Sequence, residues 1–218
     1  MAISSVITLT AKKKLLNMPS NNLAVFYCGT NGAGKSTLRS FNQDAVQIII
    51  DSDHIAAQIH PVAPRSVDFE AGKEALKLFK FALEKRISFS MESTLSGYSI
   101  VQRIKKAKQC GFYVRLNYVG VADVELNVER VAARVAAGGH FIDEQTIRHR
   151  YKISRTNLPL VLPFCDEVFI YDNSDDKPKI IFWLHNKNLM QMETKLPKWC
   201  AMLKQELLDM GFIPDQST

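Results

Sequence analysis

Residues 29–36, Gly29-Thr30-Asn31-Gly32-Ala33-Gly34-Lys35-Ser36, constrain this chain more than any other stretch. They fill the pattern GxxxxGK[ST]. Its glycines let the backbone wrap tightly enough for several N–H groups to converge on phosphate oxygens. The context supports the pattern. Leu23-Ala24-Val25-Phe26-Tyr27-Cys28 is continuously apolar and stops at a glycine, as a strand buried on both faces does. A helix opening at Lys35 would point its partially positive N-terminus at the same phosphates. Lys35 is expected to reach the β- and γ-phosphates of ATP. Ser36 is expected to bind Mg²⁺ through its hydroxyl, with Thr37 assisting by local hydrogen bonding.

Hydrophobic periodicity extends this unit along the chain. Further strands are expected at 46–50, 87–91, 113–119 and 167–171, with an added edge strand by hairpin at 179–184. Helices are expected at 66–86, 99–110, 123–137, 143–151 and 197–210. Asp143 serves as N-cap of the short helix at 143–151, and Phe69, Leu76, Phe79 and Leu83 mark the buried face of 66–86. Strands alternating with helices predict the α/β class: a P-loop NTPase three-layer sandwich, its central sheet mostly parallel, with helices on both faces. One domain is expected over 1–218. Its core would run over about 23–174, with a lid near 130–151 and a C-terminal hairpin and helix over 175–218. In such sheets ligands bind beyond the carboxyl ends of the strands, which gathers Gly29, Asp51, Asp53 and Glu92 along one rim.

Composition narrows the class. Hydrophobic residues make up 46% and charged residues 23%, ordinary for a globular chain. The net charge of +6 reads as cations serving a polyphosphate substrate, because arginines cluster near the phosphate motif. The basic run Arg103-Ile104-Lys105-Lys106-Ala107-Lys108 reads as a solvated helix face, so nucleic acid is not an expected partner. Four cysteines, with no CxxC pair, suit a reducing cytoplasm. No apolar run approaches the ~20 residues of a membrane span, and no membrane partner is expected. Residues 1–16 lack the order of a signal peptide and read as a surface segment or short helix.

The rim carboxylates suit phosphoryl transfer to a hydroxyl. Asp53 is the candidate general base, with substrate contact. Asp51 either caps the next helix or supports Mg²⁺. Glu92 and Thr94 stand two apart and either grip a hydroxyl of the acceptor or, for Glu92, orient Mg²⁺ through water. Arg130 and Arg134 are four apart and share a helix face. With Arg148 and Arg150 they flank the Gly138-Gly139-His140 break. A lid of this kind supplies positive charge to the moving γ-phosphate and excludes water. Arg130, Arg134 and Arg148 are the catalytic candidates, and Arg150 is placed with the substrate.

In GTNGAGKSTLRS (29–40), IIIDSDHIA (48–56), MESTLSG (91–97), ERVAARVAAGGHFIDEQTIRHRY (129–151) and YDNS (171–174) the chain resembles the zeta-toxin family of P-loop kinases, in its short branch. That resemblance implies phosphorylation of a UDP-sugar such as UDP-N-acetylglucosamine on a sugar hydroxyl, and an epsilon-type antitoxin as partner. It also implies ATP and Mg²⁺ on Lys35 and Ser36, Asp53 as base, Glu92 and Thr94 at the acceptor, and Arg130 or Arg134 with a cation from 148–150 on phosphate. His140 stands where the family often has an arginine, so the second catalytic arginine stays open. The alternatives are a kinase for another nucleotide, cofactor or antibiotic hydroxyl, or an ATPase without a small-molecule acceptor that uses 46–51 as its Walker B strand.

Overall fold

The computed structural model describes residues 22–215. The expected surface segment over 1–16 lies outside them. Eight strands form one sheet in the order β2-β3-β1-β4-β5-β6-β7-β8. They are β1 (Leu23–Cys28), β2 (Ile48–Ile50), β3 (Phe89–Ser93), β4 (Tyr113–Gly120), β5 (Glu167–Asp172), β6 (Lys179–His185), β7 (Asn188–Gln191) and β8 (Ile213–Pro214). The first five in this order are parallel, and β6 and β7 then pair antiparallel. The connecting helices are α1 (Lys35–Asn42), α2 (Ser52–Ile59), α3 (Asp68–Lys85), α4 (Tyr98–Gln109), α5 (Val124–Ala136), α6 (Glu144–Val161) and α7 (Lys198–Asp209).

β1 explains the layering. Its alternate side chains Ala24, Phe26 and Cys28 enter the larger core with α2, α3, α4, α6 and α7. Val25 and Tyr27 enter a smaller one with Leu38 of α1. Helices therefore cover both faces, as expected for an α/β sandwich, but the layers are unequal. At the centre of the larger core the Phe89 ring meets Phe26, Phe79 and Phe112 edge-on at 5.5–5.8 Å. Such pairs add about 0.5–1.5 kcal/mol each beyond area burial.

Four expected elements differ. Glu92 was expected just after a strand at 87–91, but lies inside β3. The helix expected at 143–151 runs on to Val161, because Ile147, Ser154, Leu158 and Val161 keep a buried stripe past the polar run and through Pro159. β6 is not the edge. Asn186 and Lys187, both at positive φ, turn the chain into β7, and β8 pairs beyond it. Helix α3 also buries a different face. Ala71, Ala75 and Ala82 pack inward beside the expected Phe79, with Leu83 partly buried, while Phe69 and Leu76 are exposed. Small side chains let α3 approach the neighbouring helix α2 closely.

Candidate active site

The carboxyl ends of β1, β2, β3 and β5 open onto a cleft of about 1730 Å³. Its floor is the loop from β1 to α1. Gly29 sits at φ 141°, where a Cβ would lie 2.1 Å from the Val119 carbonyl oxygen, so no larger residue fits. Gly34, at φ 97°, caps α1 and lies under the Asn173 amide. Side chains from distant elements fix the loop between them. Asn127 Nδ2 donates to the Asn31 carbonyl at 2.7 Å, and Asn173 Nδ2 to the Ala33 carbonyl at 2.8 Å. Thr30 and Asn31 are buried, and Gly32 continues the wrap at φ 75°. The loop is thus held in shape by the protein before any phosphate arrives.

Lys35 begins α1 and its Nζ donates to the Thr30 carbonyl at 3.2 Å. Burial pulls its pKa below the ordinary lysine value, against the opposing pull of Glu92. Ser36 Oγ donates to Glu92 Oε2 at 2.9 Å. Glu92 is 9% exposed, and its Oε1 lies 2.8 Å from Arg39 Nε without the alignment of a hydrogen bond. Burial and then the Asp51 charge push the Glu92 carboxyl above the usual carboxylate range. A hydroxyl beside a buried, incompletely engaged carboxylate is a hard-oxygen donor set, and it fits Mg²⁺. Thr37 lines the cleft one residue on.

Asp51 caps α2: its Oδ1 accepts from the N–H groups of Asp53 and His54 at 3.1 and 3.3 Å, and its Oδ2 from Arg39 at 3.3 Å. Asp53, in the first turn of α2, lines the cleft. Among the described residues no hydrogen bond or ion pair engages its carboxylate, yet it is near enough for its charge to act on Lys35. Thr94 also lines the cleft and shares a 2.7 Å hydrogen bond with Ser96. The turn carrying both is forced. Leu95 between them is fully buried at φ 54°, held by Asn157 Nδ2 donating to its carbonyl at 2.9 Å. A left-handed leucine costs about 1–2 kcal/mol, so packing imposes this backbone.

Three of the four expected arginines line the cleft. Arg130 donates to the Asn173 carbonyl at 2.8 Å, Arg134 to the His140 carbonyl at 3.1 Å, and Arg150 to Asn31 Oδ1 at 3.0 Å. Arg148 does not. It points away and is clamped by Glu125 at 2.6 and 2.8 Å and by Glu144 at 2.6 Å. Against the expectation, Arg148 is not brought to the cleft: two residues from Arg150, it occupies another face of α6. Four residues of the site escaped the sequence reading of single positions. Arg39 stands one turn after Lys35 and bridges Asp51 and Glu92. Arg103 stands among the buried Ile100, Ile104 and Ala107 of α4 and reaches the cleft. Asn127 and Asn173 hold the phosphate loop from elements about 100 residues or more away in the chain.

Residues 7–181 match the zeta toxin family. A protein of Haemophilus influenzae (strain Rd), described as uncharacterized, is 62% identical over 140 residues, 64% of this chain and 99% of its own length. Among solved structures, one from the PezAT chromosomal toxin–antitoxin system of Streptococcus pneumoniae superposes with a TM-score of 0.56 at 16% identity, covering 97% of this chain and 95% of that one. The AvrRxo1-ORF1:AvrRxo1-ORF2 complex with sulphate ions reaches 0.67 at 13% identity, covering 93% and 68%. A form of that complex with ATP reaches 0.55 over the same shares. At these identities the structures share the fold alone. The family match, by contrast, runs from ahead of β1 into β6 and so takes in every element that borders the cleft: the chain belongs to the zeta toxin family.

Proposed function

We propose that this protein is a Mg²⁺-dependent kinase that moves the γ-phosphoryl group of ATP to a hydroxyl of a small acceptor, a UDP-sugar such as UDP-N-acetylglucosamine. One observation carries the reading: the unengaged carboxylate of Asp53 faces the same cleft as Lys35 and Ser36. An ATPase would use such a base on water, so dependence on an acceptor, and not the carboxylate itself, separates transfer from hydrolysis. In this reading Asp53 takes the proton of the acceptor hydroxyl as its oxygen attacks phosphorus. The loop 29–34 and Lys35 hold the β- and γ-phosphates. Arg130, Arg134 and Arg150 face the charge that builds on the moving phosphoryl group. Ser36 and Glu92 would hold Mg²⁺, which when bound neutralises phosphate charge. The resemblance to toxin–antitoxin proteins supports an epsilon-type antitoxin as partner. Among the described residues no helix is long and apolar enough to cross a membrane.

The test is ADP release from Mg-ATP with and without UDP-N-acetylglucosamine, with the product weighed for one added phosphoryl group. Acceptor-dependent turnover is expected, falling by about 10²–10⁴-fold in Asp53→Asn. ADP release that ignores the acceptor and survives Asp53→Asn would sink the transferase reading.

A further inference from the structure

The sheet order divides the cleft. The phosphate loop sits over β1 in the middle. Arg130, Arg134 and Arg150, with the turn after β5, lie on the β4–β5 side, and Asp53, Thr94, Gly72 and Arg103 lie on the β2–β3 side. A nucleotide whose phosphates fill the loop leaves the second half to the acceptor. Two features of that half are unexplained by the fold.

The first is Arg103. The guanidinium is half-buried, and among the described residues its hydrogen bond is from Nη1 to the sulfur of Met91 at 3.9 Å. Among the described residues no carboxylate or carbonyl accepts from it, and burial alone lowers its pKa, with no compensating charge. The other cleft arginines each hold an oxygen acceptor already. A half-buried guanidinium left without one has its binding capacity directed at something else. The second is Gly72, inside α3 on the same wall. A Cβ there would meet nothing within 4 Å, and its backbone is not left-handed. Neither packing nor conformation requires glycine, which weakens the helix relative to alanine. What glycine does provide is bare backbone facing the cleft.

We propose that the acceptor lies across the bare backbone at Gly72 and presents a phosphate-type anion to Arg103, while its hydroxyl end reaches Asp53. Arg103 is then a specificity-determining residue that selects acceptors carrying a phosphate or diphosphate away from the reacting hydroxyl. Lysine places a charge there but not the forked pair of donors.

This inference rests on the kinase reading, and one experiment separates the two. Transfer from Mg-ATP is measured to UDP-N-acetylglucosamine and to free N-acetylglucosamine, which lacks the diphosphate. The proteins are wild type, Asp53→Asn, Arg103→Ala, Arg103→Lys and Gly72→Ala. The expected result is a rise of about 10- to 100-fold in KM for the charged acceptor in Arg103→Ala. Its kcat and the KM for ATP should change little, and Arg103→Lys should restore part of the loss. With the neutral sugar, wild type and Arg103→Ala should be equally poor. Gly72→Ala should melt higher than wild type and yet bind the acceptor more weakly, a combination that a purely structural glycine would not give. Transfer that needs Asp53 but shows the same acceptor KM in Arg103→Ala overturns this inference and leaves the kinase standing. Absence of transfer in wild type to either acceptor overturns both.

Discussion

Two clusters of charge lie against this sheet, and they are built on opposite principles. On the α1 face, Arg115 of β4 is matched. Its Nε meets Glu167 Oε2 at 2.7 Å and its Nη1 meets Asp44 Oδ1 at 3.3 Å. The remaining oxygens are engaged too: Trp183 Nε1 donates to Glu167 Oε1 at 3.1 Å, and the Tyr27 hydroxyl donates to Asp44 Oδ2. Burial alone would lower the Arg115 pKa, but Glu167 and Asp44 more than reverse that. At the carboxyl rim, Lys35, Arg39, Asp51 and Glu92 are partly buried beside the exposed Asp53 and left at odds. The Lys35 pKa is pulled down by burial and that of Glu92 is pushed up. One cluster is complete within the protein. The other is left incomplete, to be completed in the proposed function by a polyphosphate, a cation and an acceptor, and perturbed groups of that kind mark function.

The largest effect should come from breaking the matched cluster. Arg115→Met leaves Glu167 and Asp44 buried without their cation, which costs about 3–5 kcal/mol. Urea unfolding checks this, and the protein that remains folded should keep its KM for ATP. A cost near zero would mean that the α1 face is held by packing alone. Lys35→Met should behave in the reverse way. Transfer should fall by about 10²–10³-fold. Stability should hold or rise, because a base whose pKa falls on folding opposes folding while it is protonated. A drop in melting temperature comparable to that of Arg115→Met would erase the distinction between the clusters.

Glu92→Gln sharpens the comparison within the rim. The isosteric amide removes a carboxylate that burial disfavours, so the protein without Mg²⁺ should be no less stable than wild type. Half-maximal activity should then need about 10- to 100-fold more Mg²⁺. Titrating Mg²⁺ at fixed ATP measures this, and an unchanged requirement would remove Glu92 from the metal site and return it to the acceptor.

What the sequence made legible follows the reach of covalent spacing. Gly29 to Thr37 are consecutive, so their shared site is set by local backbone geometry. Asp53 and Glu92 were placed because parallel strands deliver their carboxyl ends to one rim. Arg39 and Arg103 were passed over because each lies in a helix whose rotation depends on the core it meets. Arg103 belonged to a run of six residues that reads as solvated, and only the burial of Ile100, Ile104 and Ala107 turns it inward. The turn at Asn186 and Lys187 was missed for a different reason. Both residues adopt positive φ without glycine, so the usual composition of a hairpin turn is absent.

The smallest expected effect tests this same point about rotation. Arg148 and Arg150 are two residues apart, hence about 200° apart around a helix. With the helix expected to end at 151, neither face could be ranked. The full length of α6 settles its phase: Ile147, Ser154 and Leu158 face inward, Arg150 reaches Asn31 in the phosphate loop, and Arg148 turns out to Glu125 and Glu144. Arg150→Ala should therefore raise the KM for ATP, because it frees Asn31 as well as removing a cation from the cleft. Arg148→Ala should leave kcat and KM where they are and barely move the melting temperature, since an exposed ion pair is screened by water and salt. The pair should be measured side by side at low and high salt. If Arg148→Ala lowers kcat while Arg150→Ala does not, α6 turns its other face to the phosphates during turnover, and the lid rotates in place of merely covering the nucleotide.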